Sequence, residues 1–143
     1  MLIKQLSVFI ENKPGRLAAI LEELGKHNID ISALSLADTS EYGILRLIVS
    51  NPDDAAEVLK NSGVVVKLTN VLAIAIDDTP GGLSRILSIF VKNSINVDYM
   101  YAFVGKVTSK ALTVIKVSDP ELAEKALSAL DISTVNPKDI YRL

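Results

Sequence analysis

The chain superposes on itself. A shift of 66 positions brings Lys13-Pro14-Gly15-Arg16-Leu17 onto Thr79-Pro80-Gly81-Gly82-Leu83, Ile20-Leu21 onto Ile86-Leu87, Lys26 onto Lys92 and Ile29 onto Ile95. Upstream, Leu6, Val8 and Ile10 fall on Leu72, Ile74 and Ile76, an alternation that fits one face of a strand. After a two-residue insertion the shift becomes 68, and Ser50-Asn51-Pro52-Asp53 meets Ser118-Asp119-Pro120-Glu121. The 143 residues therefore divide into two copies of one small unit, expected over 1–70 and 71–143.

Each copy reads as strand, helix, strand, strand, helix, strand. A strand over Ile3–Ile10 stops at Glu11-Asn12-Lys13-Pro14-Gly15, where proline at a first helical position signals a helix start. Leu17, Ile20, Leu21 and Leu24 then recur at the spacing of one buried stripe, matched by Leu83, Ile86, Leu87 and Phe90. Second strands are expected over Asp30–Ala37 and Asn96–Val104, each followed by a polar turn, and third strands over Ile44–Val49 and Ala111–Val117. Pro52 and Pro120 open the second helices, and Val64-Val65-Val66 and the weaker Ile132–Val135 supply the fourth strands.

The fold class that follows is α+β: two tandem ferredoxin-like βαββαβ units, each a four-stranded antiparallel sheet with two helices on one face. In the third strand Ile44 and Ile48 oppose Leu45, Leu47 and Val49, so the first sheet is apolar on both sides. Either the second side is an interface, most simply in a homodimer, or these are scattered surface aliphatics.

Composition removes several functions. Fifteen Lys+Arg against 17 Asp+Glu give a net charge of -2, without the basic footprint of a nucleic-acid binder or the amphipathic basic helix of a membrane-surface protein. There is no cysteine, hence no disulfide, thiolate metal site or C-x-x-C motif, and the single histidine, His27, excludes two-histidine zinc signatures. No apolar run is long enough to span a bilayer and no signal peptide is evident, so a cytoplasmic protein is expected. Neither a cofactor nor a metal is called for.

Two other uses of the topology fail on residues. The third strands, Tyr42–Leu47 and Lys110–Ile115, lack the aromatic stacking platform of an RNA-recognition motif, and the first loops lack the thiols of a metal chaperone. His27 fits a helix C-terminus, and Asp53-Asp54 fits a helix first turn, better than catalysis. No nucleophile, base and orienting group share a recognisable spacing, so an enzyme is not expected. Tyr99, Tyr101 and Phe103 share one side of their strand and suit either a ligand wall or packing.

The most informative feature is the first loop of each copy. A Pro-Gly turn joins a buried strand directly to a helix N-terminus, where unpaired amides and the helix dipole attract a carboxylate by about 0.3–1 kcal/mol beyond the hydrogen bonds. A single such turn is ordinary helix punctuation. Duplicated at the same point of two βαββαβ units, it resembles the ACT-domain family, whose first loop reads Asp/Asn, any residue, Pro-Gly, any residue, Leu, as in Asn12–Leu17 and Asp78–Leu83. The helix-to-strand turns Asn28-Ile29-Asp30-Ile31 and Ser94-Ile95-Asn96-Val97 look like the family's second element. The run Val97–Phe103 is similar to the second-copy strand of the sub-group that consists of two ACT copies alone.

The resemblance implies a non-catalytic regulatory protein that holds an amino acid effector at the seam between paired domains. One site would combine Asn12, Pro14, Gly15, Arg16 and Leu17 with Asn96, and the other Asp78, Pro80, Gly81, Gly82 and Leu83 with Asp30. Asp77-Asp78 would oppose a carboxylate, whereas Arg16 would favour it, so the Asn12 site should bind more strongly. Asp30 stands where the family often has Asn. The alternative reading is a ligand-free protein–protein interaction module or a regulatory subunit of a metabolic-enzyme partner.

Overall fold

The computed structural model describes residues 1–38, 41–104 and 110–141. Among them are six strands and five helices: β1 (Ile3–Glu11), α1 (Arg16–Lys26), β2 (Ile31–Asp38), β3 (Tyr42–Val49), α2 (Pro52–Asn61), β4 (Val65–Asp77), α3 (Gly82–Lys92), β5 (Val97–Ala102), β6 (Lys110–Val117), α4 (Pro120–Ser128) and α5 (Pro137–Ile140). They form two compact units, one of Lys4–Thr69 and one of Met1–Ile3 with Asn70–Tyr141.

In the unit of Lys4–Thr69, β1 and β2 both pair antiparallel with β3, with Leu6 opposite Leu47 and Leu36 opposite Leu45. Leu6, Val8 and Ile10 of β1 and Leu45, Leu47 and Val49 of β3 meet Ile20 and Leu24 of α1 and Ala55 and Leu59 of α2 in one core. Both helices therefore cover the same sheet face, as their apolar stripes require. Val64, Val66 and Leu68 pack against this core from the start of β4.

The second unit repeats the plan, with β4 and β5 antiparallel to β6 and a core of Leu72, Ile74, Ile76, Ile86, Phe90, Ile115 and Leu127. Its fourth strand is where the expected four-stranded sheet falls short. Instead of a strand over Ile132–Val135 there is one bridge, Ile74 to Thr134, with the Val135 amide donating to the Ala73 carbonyl at 2.8 Å. Asn136 then caps α5 by accepting from the Lys138 amide at 2.9 Å, and Pro137 opens that short helix in place of further pairing. Buried Ile140 anchors α5.

One further expectation is corrected. The fourth strand of the first copy and the first strand of the second are one continuous strand, β4, because Thr69-Asn70 keeps extended backbone and contains no glycine or proline to break it. The side of β3 opposite the helices is covered in part: Ile48 and Ala33 have no exposed surface, while Phe9, paired with Ile44, is 54% exposed. The polar turns after β2 and β5 lie partly outside the described residues, over 39–40 and 105–109.

Alternation breaks once in each edge strand. Register shifts between Ile31 and Ala33 and between Val97 and Tyr99 mark bulges that let Ile31 and Val97 join their cores despite the one-residue slip. Beyond the second bulge, Met100 faces the core and Tyr99 and Tyr101, both half-buried, face the other way.

Candidate functional site

Each Pro-Gly loop delivers its helix in the same conformation. Gly15 and Gly81, both at φ 84°, lie in the left-handed region that glycine adopts without a steric penalty, and neither α1 nor α3 has a side chain accepting from its first-turn amides. In contrast, the Asn51 side chain accepts from the Asp54 amide at 3.4 Å to start α2, and Asp119 accepts from the Leu122 amide at 3.1 Å to start α4. The two helices that follow Pro-Gly loops also lack acidic residues in their first turns. Their amide ends thus carry positive dipole that no capping or first-turn side chain neutralises.

Main-chain bonds hold the loops rigid. The Asn12 amide donates to the Glu41 carbonyl at 3.0 Å, Lys13 to Glu11 at 2.9 Å and Arg16 to Lys13 at 3.3 Å. In the second loop, Thr79 donates to Asp77 at 2.8 Å and Gly82 to Thr79 at 3.0 Å. Here the chain is tighter. A Cβ on Gly82 would sit 2.3 Å from the Asp77 carbonyl oxygen, so glycine is required where the first loop carries Arg16.

The electrostatics of the loops differ in sign. Glu11 accepts from Lys13 at 2.9 Å and lies 3.8 Å from Arg16, and the Lys13 hydrogen bond and charge, then the Arg16 charge, lower its pKa from the ordinary glutamate value. Two cations against one carboxylate leave the first loop net positive. Asp77 meets Lys110 at 3.5 Å, and Asp78 adds a second carboxylate, so the second loop has no such surplus. Asn12, Pro14, Gly15 and Arg16 are exposed and Leu17 is half-buried; Asp78, Pro80, Gly81 and Leu83 are exposed. Arg16 also borders a 260 Å³ cleft with Glu11, Glu23 and Ser62.

Asp30 and Asn96 occupy equivalent places just before β2 and β5. The Asp30 amide donates to Ser50 Oγ at 3.1 Å and the Asn96 amide to Ser118 Oγ at 3.0 Å. Sequence reasoning passed over these serines as site supports, although their recurrence in Ser50-Asn51-Pro52 and Ser118-Asp119-Pro120 was the available signal. The side chains diverge: Asp30 accepts from the Ile31 amide at 3.0 Å, while the Asn96 amide group donates to Asp98 at 3.2 Å.

The other candidates have structural roles. His27 Nδ1 lies 2.9 Å from the Glu23 carbonyl at the end of α1. Asp53 pairs with Lys4 at 2.9 Å, and Asp54 accepts from Asn51 at 2.6 Å in the first turn of α2. Among the described residues no group of three or more His, Cys, Asp or Glu could hold a metal ion.

The duplication and the two matching Pro-Gly helix starts define a pair of tandem α+β domains. The profile of the ACT domain pair matches residues 1–143, and the chain belongs to that family. A crystal structure of a Bacteroides thetaiotaomicron protein shares 37% identity over 100% of this chain and 98% of that one, with a TM-score of 0.94. Regulatory subunits of aspartate kinase from Thermus thermophilus (17% identity, TM-score 0.63, 90% of this chain and 89% of that one) and Thermus flavus (19%, 0.61, 90% and 90%) share the fold. A search of curated proteins gave no match.

Proposed function

We propose that the chain is a non-catalytic cytoplasmic regulator that binds an amino acid effector through the loops Asn12–Leu17 and Asp78–Leu83, each site completed by Asn96 or Asp30 of an adjoining domain. The observation that carries this reading is the contrast between helix starts. Side chains cap α2, α4 and α5, whereas α1 and α3 present their first-turn amides beside a rigid loop. The Arg16 and Gly82 amides donate to Lys13 and Thr79, so an effector carboxylate would accept from the first-turn amides that follow them, and the Arg16 side chain would add a charge-assisted bond at the first loop. The two Thermus proteins that share the fold are regulatory subunits of aspartate kinase, which agrees with a regulatory role.

A thermal-shift screen against the twenty amino acids tests the proposal. An effector at one hundred times its Kd should stabilise the fold by about 2.7 kcal/mol. Absence of any shift would favour the second reading, an interaction module for a metabolic-enzyme partner or a second copy. That reading draws support from α3, where Leu83 and Val91 are 40% and 76% exposed along one stripe.

A further inference from the structure

Truncation of its fourth strand leaves the second unit with a cavity of about 540 Å³, bounded by the end of β4, the first turns of α3 and residues 130–136. The equivalent cleft of the first unit, where Val64 leads directly into β4, is 260 Å³. Five charged residues line the larger space: Asp77, Arg85, Lys110, Asp131 and Asp139. Arg85, Asp131 and Asp139 form no ion pair among the described residues. Asp77 at the same cavity is engaged by Lys110 at 3.5 Å.

The repeat provides an internal control. Ala19 occupies the position of Arg85 in the first unit, and Gly63 that of Asp131. Gly63 has φ 81° and Asp131 φ 56°, so the second unit places a carboxylate at a left-handed residue where glycine is less strained. The smaller cleft carries its charges elsewhere, at Glu11, Arg16 and Glu23, so the larger one is set apart by Arg85 and Asp131, at positions that are uncharged in its twin.

We propose that this cavity is a second binding site, for a small zwitterion whose anionic group pairs with the Arg85 guanidinium and whose cationic group lies between the Asp131 and Asp139 carboxylates. Its volume falls in the range of small-molecule sites. Two free carboxylates against one guanidinium favour a ligand with an extra positive charge and disfavour one with an extra negative charge. The site goes beyond the loop reading: of the second loop's residues Asp78, Pro80, Gly81, Gly82 and Leu83, only Gly82 reaches it.

Amide-resolved NMR titration of the full chain with L-lysine, glycine and L-glutamate tests the proposal. Perturbation is expected at Arg85, Asp131 and Asp139, tightest with lysine and weakest with glutamate. Arg85→Ala and Asp131→Gly, which install the first unit's own residues and so should keep the fold, are each expected to weaken lysine binding about tenfold. Silence at those three amides with all three probes, the reverse order of lysine and glutamate, or unchanged affinity in both variants would overturn the proposal. The Gly15 amide, in the other unit and outside the cavity lining, reports the loop reading separately, so failure of one reading is distinguishable from failure of the other.

Discussion

Gly15 and Gly81 adopt the same left-handed conformation, φ 84° in each, at the entry to α1 and α3. A side chain would crowd its own carbonyl in that region, so Gly15→Ala and Gly81→Ala should each cost roughly 1–2 kcal/mol. Gly82→Ala should cost more, because the added Cβ meets the Asp77 carbonyl oxygen at 2.3 Å and backbone has to move. Urea unfolding of the three variants measures the order; equal losses would show that the second loop relaxes freely.

The two loops should bind an effector unequally. The surplus cation at the first loop and the carboxylate of Asp78 at the second predict that Asn12→Ala weakens carboxylate binding more than Asp78→Ala does. Calorimetric titration with whichever amino acid shifts the melting temperature decides this. The same loss from both variants would remove the asymmetry.

Caps and sites should separate experimentally. Asn51→Ala and Asp119→Ala each remove a side-chain acceptor from a helix start and should destabilise the fold by about 1 kcal/mol. Neither should change effector affinity, since α2 and α4 lie outside the Pro-Gly loops. A cap variant that loses binding while remaining folded at the assay temperature would move the site away from α1 and α3.

Glu11 reports the charge state of the first loop. Because the Lys13 hydrogen bond and charge and the Arg16 charge lower its folded pKa, its stabilising contribution is present above the unfolded value, about 4.3, and is lost as pH falls through the lowered one. Carboxyl NMR titration should find Glu11 below the ordinary glutamate range, and Lys13→Ala should return it most of the way. Because both side chains reach solvent, high salt should shrink the shift. An unshifted Glu11 in the parent chain would mean that the loop cations are not held there in solution.

The duplication, the order of elements up to the second helix of each copy and the Pro-Gly helix starts were all legible in the residues. These features depend on local chemistry: the period of apolar side chains, proline's fixed φ and glycine's access to positive φ. The placement of Asn12–Leu17 and Asp78–Leu83 at helix entries followed from the same signals. What could not be read was that these entries lack side-chain caps while α2 and α4 have them, since an Asn or Asp near a helix start caps only if its rotamer reaches the amide.

Sequence by itself determined that two similar α+β halves would form and which faces of their strands would be apolar. Tertiary structure decided where the strands end. Thr69-Asn70 passes unbroken through β4, Ile132–Val135 makes one bridge before Asn136 and Pro137 turn the chain into α5, and bulges after Ile31 and Val97 reset the register. A strand exists only when a neighbour takes up its hydrogen bonds, and that neighbour is distant in the chain, so local apolar alternation fixes a face without fixing a partner. The same partner choice left β4 uncovered near Asp77 and opened the cavity that Arg85 and Asp131 line.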